Sequence, residues 1–451
     1  MSVPVPVTTG DGPLARLLGI VSSRYLLSIG AQAFVSGFHF ALNLALLRLV
    51  TPYDYGLFAF AFVLAISAAA INNALVATPL TVYTPVIEDP AERRSQEGMF
   101  ASANLLLITV LVLAGALWAY ASGYADDTGL GATLFVAAYT ARQYSRNVSY
   151  ARLRPLVVAA SDIVYAGTGT LLIATLHFAA PDFTIGRVLA ALALACLLAM
   201  AAERALLNRS DARARARRFG SLAGYGRIWR ESAAWALVGA LTTMFLGQAH
   251  SFIVTTAVGP GAFAPLAAGF VLFGPVRVAL TTWQNMVKPE LAVDLAAGHI
   301  ESVRAQLRRT VRLMILAVAA LGIALWLGWS WVHAFLYASR YADQPMGLIV
   351  AMWCLVTIAG ASYAAPSAAL QSLKRFRELA VASIWGSLVS GVLVALALWR
   401  YGPESTLLGI LAAETFLALW LARSLRLALA DREASADDDG RARAPTFTTR
   451  R

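Results

Sequence analysis

The sequence predicts an all-α polytopic membrane protein with twelve transmembrane helices, and three observations lead there. Apolar stretches recur along the chain at lengths of about 20 residues, enough for a helix to cross the hydrocarbon core of a bilayer. Hydrophobic residues make up 59% of the 451 residues and charged residues only 14%, whereas soluble domains are about 45–50% apolar. The basic residues alternate between crowded and nearly empty connections, the bias that sets membrane orientation. Lipid offers backbone groups no hydrogen bonds, so such stretches must be helices packed on one another.

In order, the apolar runs place spans at 25–47, 55–80, 100–121, 129–149, 156–178 and 185–207. After a strongly basic segment, Arg209-Ser-Asp-Ala-Arg213-Ala-Arg215-Ala-Arg217-Arg218, six more follow at 233–258, 261–283, 313–336, 346–370, 379–399 and 406–427. The rhythm is six and six. It divides the chain into an N-terminal tail (1–24), a first six-helix bundle (25–207), a basic linker (208–232), a second bundle (233–427) and a charged tail (428–451). The tail is expected to be disordered, having no large apolar side chain between Asp431 and Phe447. The first apolar run is too long for the core of a signal peptide and reads as the first span.

With the N-terminus placed in the cytoplasm, 31 of the 36 basic residues fall in cytoplasmic segments. Four (Arg48, Arg187, Arg340 and Arg400) fall outside, and Arg277 lies within a span. This alternation predicts both termini on the cytoplasmic side of the membrane. It also accounts for the net charge of +11 without a nucleic-acid partner. Cys196 and Cys354 lie inside apolar runs and read as small buried side chains rather than metal ligands or a disulfide.

Local signals set the connections. Thr51-Pro52 offers a cap and a first-turn proline for the second helix. Phe273-Gly-Pro275 loosens the eighth span by removing a backbone donor. Pro289 to Gly298 reads as a short surface helix ended by glycine, and 301–312 as a second amphipathic piece leading into the ninth span.

Three stretches resemble the polysaccharide repeat-unit flippases (O-antigen translocase type) of the multidrug/oligosaccharidyl-lipid/polysaccharide exporter superfamily. The first is Leu46-Leu-Arg48-Leu-Val-Thr-Pro52-Tyr-Asp-Tyr-Gly56, similar to that family's junction of helices 1 and 2. The second is Val287-Lys-Pro289-Glu-Leu-Ala, followed by Gly298-His-Ile-Glu301 and Arg308-Arg309. The third is Phe335-Leu-Tyr-Ala-Ser-Arg340-Tyr341. The resemblance implies a MATE-like fold, two six-helix bundles around a central cavity that opens to alternate sides. It further implies a cargo of polyprenyl-pyrophosphate-linked oligosaccharide, with polysaccharide polymerases or other biosynthetic proteins as partners.

Charges inside spans are costly and mark function or pairing. Arg142 and Arg146, four apart on one helical face, could grip phosphate from the cavity wall or snorkel to headgroups. Arg277 is read as a cavity cation or the partner of a carboxylate. Asp162 and Glu414 are read as ion-pair partners or as carboxylates coupled to H+ or Na+. His39 and His250, in the first helix of each half, could bond sugar or phosphate, or be ordinary buried histidines. Asn72 and Asn73 could bind sugar hydroxyls or bond between helices. No P-loop or zinc signature occurs, so no cofactor or enzymatic role is expected. A cation-coupled drug antiporter of the same fold would call for a more acidic cavity. A membrane polymerase or ligase would call for a long external loop, where every external connection here is about ten residues or fewer.

Overall fold

The computed structural model describes residues 24–443 apart from 85–86, 122, 125, 153, 180–182, 211–218 and 338–339. The N-terminal tail before Arg24, the arginine run at 213–218 and residues 444–451 therefore lie outside the described residues. Every described element is helical. We number them α1 (Arg24–Leu49), α2 (Pro52–Tyr83), α3 (Pro90–Ala121), α4 (Asp127–Ala151), α5 (Pro155–Ala179) and α6 (Ile185–Ser210). There follow α7 (Tyr225–Ala257), α8 (Pro260–Val271), α9 (Gly274–Ala296), α10 (Ile300–Leu327), α11 (Met346–Ser372), α12 (Phe376–Tyr401) and α13 (Thr406–Arg443).

Ten of these helices are long and apolar enough to cross a membrane, and α8 with α9, bent by 58°, forms an eleventh broken span. The span expected at 129–149 is α4, which falls outside that count: its 25 residues reach about 37 Å at 1.5 Å per residue, and its polar side chains lower its hydropathy. It is the helix that carries both Arg142 and Arg146.

Helix starts follow the capping chemistry written in the chain. Thr51 Oγ1 accepts from Asp54 N at 3.2 Å and donates to Asp54 Oδ2 at 2.6 Å, with Pro52 in the first turn. Asp126 caps α4 by accepting from Thr128 N and Gly129 N at 3.1 and 3.2 Å. Both arrangements satisfy amides that a helix start leaves unbonded. Within α2, the turn Asn73–Ala77 widens to a π-helix just before Pro79. Proline cannot donate to the carbonyl four residues earlier, and Tyr225 Oη fills the gap, donating to Leu75 O at 2.7 Å.

Two sequence expectations are corrected. The segment at 289–298 is no separate surface helix: α9 runs on through it to Ala296, and Gly298, at φ +78°, turns the chain into α10. The piece at 301–312 leads into the following span as expected, being the first part of α10. The tail from 428, expected to be disordered, continues α13 to Arg443. Its first turns are tied down where Arg432 Nη1 donates to Leu295 O at 2.6 Å and Arg375 meets Asp431 at 3.1 Å.

The chain separates into two compact units, residues 1–39 with 72–234 and residues 40–71 with 235–451. In the first, α6 packs along α4 and α5, and α3 along α4. A Cβ on Gly131 would lie 2.3 Å from Gly186 O, so α4 and α6 meet backbone to backbone as small residues allow in membranes. In the second, α11 lies against α9, α10 and α13, and α13 against α12. Leu291, Val303, Ala365, Ala369 and Leu421 are core residues there.

The later part of α1 and the first turns of α2 group with the second unit, unlike the partition read from the sequence. Local contacts explain this. Gly56 sits so close to α8 that a Cβ would lie 2.0 Å from Pro260 O. Phe60 meets Phe252 edge to face with ring centroids 6.0 Å apart. Arg340 donates from Nε and Nη2 to the carbonyls of Arg48 and Leu49, at 3.1 and 3.2 Å, and so caps the end of α1. The Arg48 guanidinium lies 4.4 Å from the centre of the Phe335 ring.

We expect Gly56→Ala to cost about 1–3 kcal/mol by overpacking and to lower the melting temperature in detergent. Gly37→Ala, where the added carbon meets nothing within 4 Å, should leave it within a degree or two. Equal melting of both variants would contradict the close approach.

Candidate functional site

The first unit holds a buried cluster of ions. Arg142 and Arg146 lie one turn apart on α4, and both reach Asp162, seven residues into α5. Arg142 Nη2 meets Asp162 Oδ1 at 2.5 Å and Arg146 Nη2 meets Asp162 Oδ2 at 3.0 Å. Arg142 and Asp162 are both 0% exposed and Arg146 is buried. Arg146 also donates to Gln143 Oε1 on its own helix and to Gln32 Oε1 on α1, each at 2.9 Å. The Arg142 guanidinium lies 4.1 Å from the centre of the Tyr165 ring, a favourable seat for a cation. Tyr165 is three residues beyond Asp162, on the same face of α5. Its hydroxyl bonds His39 Nε2 at 3.0 Å, bringing α1 into the cluster.

Two guanidiniums therefore share one carboxylate, an excess of one positive charge. Among the described residues, three buried donors, Arg142 Nε and Nη1 and Arg146 Nε, have no hydrogen-bond acceptor. A buried donor left unbonded costs about 1–3 kcal/mol, more when charged. Such donors, with the surplus charge, are the chemistry that grips phosphate.

A second group lies in the other unit. Glu414 on α13 is buried, takes a hydrogen bond from Tyr363 on α11 and feels the charge of Arg277 on α9. Glu414 Oε2 has no hydrogen-bond partner. Arg277 is exposed, immediately past the break between α8 and α9, with its guanidinium 4.6 Å from the centre of the Phe270 ring. His250 is buried beside Phe263 and Trp353, with ring centroids at 5.9 and 5.3 Å, and its Nε2 bonds Ser251 Oγ at 3.2 Å.

The polar pair at 72–73 separates. Asn72 is fully buried and donates to Asn104 Oδ1 of α3 at 2.7 Å, an interhelical bond. Asn73 is exposed at the start of the π-helical turn. Of the nine candidate residues, the fold joins four (His39, Arg142, Arg146, Asp162) in one cluster and brings Arg277 near Glu414 and His250.

Sequence reading missed Gln32, Tyr165, Tyr363 and Asn104. Tyr165 carries a recoverable signal, a ring one turn beyond an intramembrane carboxylate. Gln32 and Asn104 join from distant helices, and nothing local marks them. It missed as well the buried Glu203 of α6, whose Oε1 accepts from Ser149 of α4.

No family model matches the chain. Over 93% of its length it is 26% identical to the "EPS I polysaccharide export inner membrane protein EpsE" of Ralstonia solanacearum, of which it covers 96%. A second relative of the same name, from Ralstonia nicotianae, is 24% identical over 450 residues. Among solved structures, an inward-facing MATE family transporter of the MOP superfamily superposes with a TM-score of 0.67 at 14% identity, over 91% of this chain and 95% of that one. The lipid II flippase MurJ superposes with a TM-score of 0.63 at 13% identity, over 90% of both chains. The chain shares the fold of these two solved structures. The likeness read from three sequence stretches is borne out, and the all-helical fold it implied is the one observed.

Within this fold the shared carboxylate has a measurable consequence. Removing one partner of a buried ion pair typically costs about 3–5 kcal/mol, and Asp162→Ala strips the only carboxylate the two guanidiniums share. We expect the variant to melt far below the parent, with Asp162→Glu intermediate. An unchanged melting temperature would show that the charges are already neutralised by solvent.

Proposed function

We propose that this protein moves a polyprenyl-pyrophosphate-linked oligosaccharide across a bacterial inner membrane for polysaccharide biosynthesis, by alternating access. The observation that carries the reading is the buried surplus of positive charge on α4, in a fold whose neighbours include a lipid II flippase and whose relatives are polysaccharide export proteins. An unaided crossing would strip water from sugar hydroxyls and phosphate oxygens, at several kcal/mol for each group left unbonded. Guanidinium donors supply bonds in place of water, while the polyprenyl tail stays in lipid. The pattern of basic residues supports cytoplasmic termini, so loading would occur on that side, with polymerases acting after release.

In this reading Arg142, Arg146 and Arg277 are the anion-binding groups, and His39, His250, Asn72 and Asn73 are candidates for sugar or phosphate oxygens. His39 acts through Tyr165, which seats Arg142. Asp162 has both oxygens taken by guanidiniums, so its role is to hold the arginines apart and oriented. Glu414 is then the better carboxylate for an ion step with H+ or Na+, since one oxygen remains without a hydrogen bond. An antiporter acting on cationic drugs finds no comparable support, because the buried surplus in the first unit is positive.

Two outcomes test this. Arg277→Ala should leave the protein in the membrane while surface glycan falls below detection and lipid-linked oligosaccharide accumulates in the cytoplasmic leaflet. Normal glycan with a stably inserted variant would remove Arg277 from the path. In proteoliposomes, Glu414→Gln should abolish any dependence of translocation on an imposed H+ or Na+ gradient while basal exchange persists. A gradient response equal to the parent's would clear Glu414 of coupling.

A further inference from the structure

Away from both ion clusters, the start of α12 and the later turns of α13 enclose an open pocket of about 640 Å³. Its wall carries Lys374, Arg375 and Arg377 against Glu378 and Asp431, with Val381, Trp420 and Leu427 as apolar neighbours. Arg375 is pinned, at 2.8 Å from Glu378 and 3.1 Å from Asp431. Among the described residues, neither Lys374 nor Arg377 has an ion-pair partner, so two of three cations are available to a ligand.

Lys374 is unusual twice over. It is one of only two lysines among 36 basic residues, and it is the one non-glycine described residue with positive φ, at 59°. A side chain in the left-handed region carries a conformational penalty that glycine would not. A lysine held there lines the pocket at the expense of backbone ease.

A second feature points to the shape of the ligand. Val381, on the pocket wall, begins an exposed apolar stripe that continues through Trp385, Leu388, Val392 and Leu396. Spacings of four, three, four and four keep these on one face of α12. The stripe runs about 22 Å at 1.5 Å per residue, beyond the roughly 15 Å depth of one leaflet of a ~30 Å core. A cationic cup continuous with an apolar track matches an amphiphile with an anionic head and an acyl tail.

We propose that this pocket is a binding site for an anionic phospholipid of the surrounding bilayer, its phosphate held by Lys374 and Arg377 and an acyl chain lying along the α12 stripe. The site needs only that the chain spans a membrane, and it stands or falls independently of the cargo. Basic pockets between membrane helices hold such headgroups by charge. A zwitterionic phospholipid, whose phosphate is already balanced by its own cation, binds less well. Inorganic phosphate lacks the tail that the stripe engages.

The test uses the full chain, delipidated in detergent and melted in the presence of phosphatidylglycerol, phosphatidylcholine, a polyprenyl phosphate or inorganic phosphate. Phosphatidylglycerol should raise the melting temperature by about 3 °C or more, with the other three giving little. The variant Lys374→Gly/Arg377→Gln removes both cations while relieving the left-handed backbone, so it should fold at least as well as the parent without lipid. It should lose most of the phosphatidylglycerol shift. A second variant, Trp385→Glu, keeps the cations and spoils the track, and should lose the shift too. Equal shifts with phosphatidylcholine or inorganic phosphate, a shift with polyprenyl phosphate alone, or an undiminished shift in the double variant would each overturn the assignment.

Discussion

The arrangement on which the first unit depends is a carboxylate held between two guanidiniums inside a helix bundle. A charge at membrane depth is tolerated only when it is turned inward and paired. Arg142 and Arg146 make α4 too polar to face lipid, so it must be covered. That requirement explains the packing of α4 against α6, α5 and α3, and the glycine contact at Gly131 and Gly186 that lets α6 close on it. The residues that give this helix its polarity are the ones its neighbours bury.

What could be read in the chain follows the range of the forces involved. The order of the helices was legible because length and apolarity are local, and capping at Thr51-Pro52 and the break at Phe273-Gly-Pro275 were legible because backbone chemistry acts within a turn. The far ends of α9 and α13 were not. Pro289 suggested a boundary, yet α9 continues past it. The charged tail suggested disorder, yet α13 extends where Arg432 and Asp431 find partners on α9 and at the start of α12. Those partners are 137 and 56 residues away, beyond anything a window of sequence can see.

The candidate site divides along the same line. A pairing of Asp162 with Arg142 or Arg146 could be anticipated, because α4 and α5 form a short hairpin and opposite charges in lipid seek each other. That Asp162 would serve both at once could not, nor could the contributions of Gln32 and Tyr165. Burial also differs from what span position suggests: Arg277, well inside its span, is exposed, whereas Arg146, near the end of its span, is buried. The turn of the helix decides, and the break between α8 and α9 resets that turn.

The two intramembrane carboxylates are thereby placed in unlike situations. Asp162 has each oxygen committed to a guanidinium and still leaves the group one positive charge in surplus. Glu414 accepts one hydrogen bond from Tyr363, keeps an oxygen unbonded and has Arg277 as its nearby cation. A dianionic phosphate approaching the first group meets unsatisfied donors and surplus charge, and can bind without displacing Asp162. The same phosphate approaching the second meets Arg277, with a carboxylate of opposite sign nearby. A small cation finds the reverse, with no open oxygen on Asp162 and one on Glu414. Charge balance alone therefore sets the two groups apart: the α4–α5 cluster carries the surplus of positive charge, and Glu414 of α13 keeps an oxygen without a hydrogen bond.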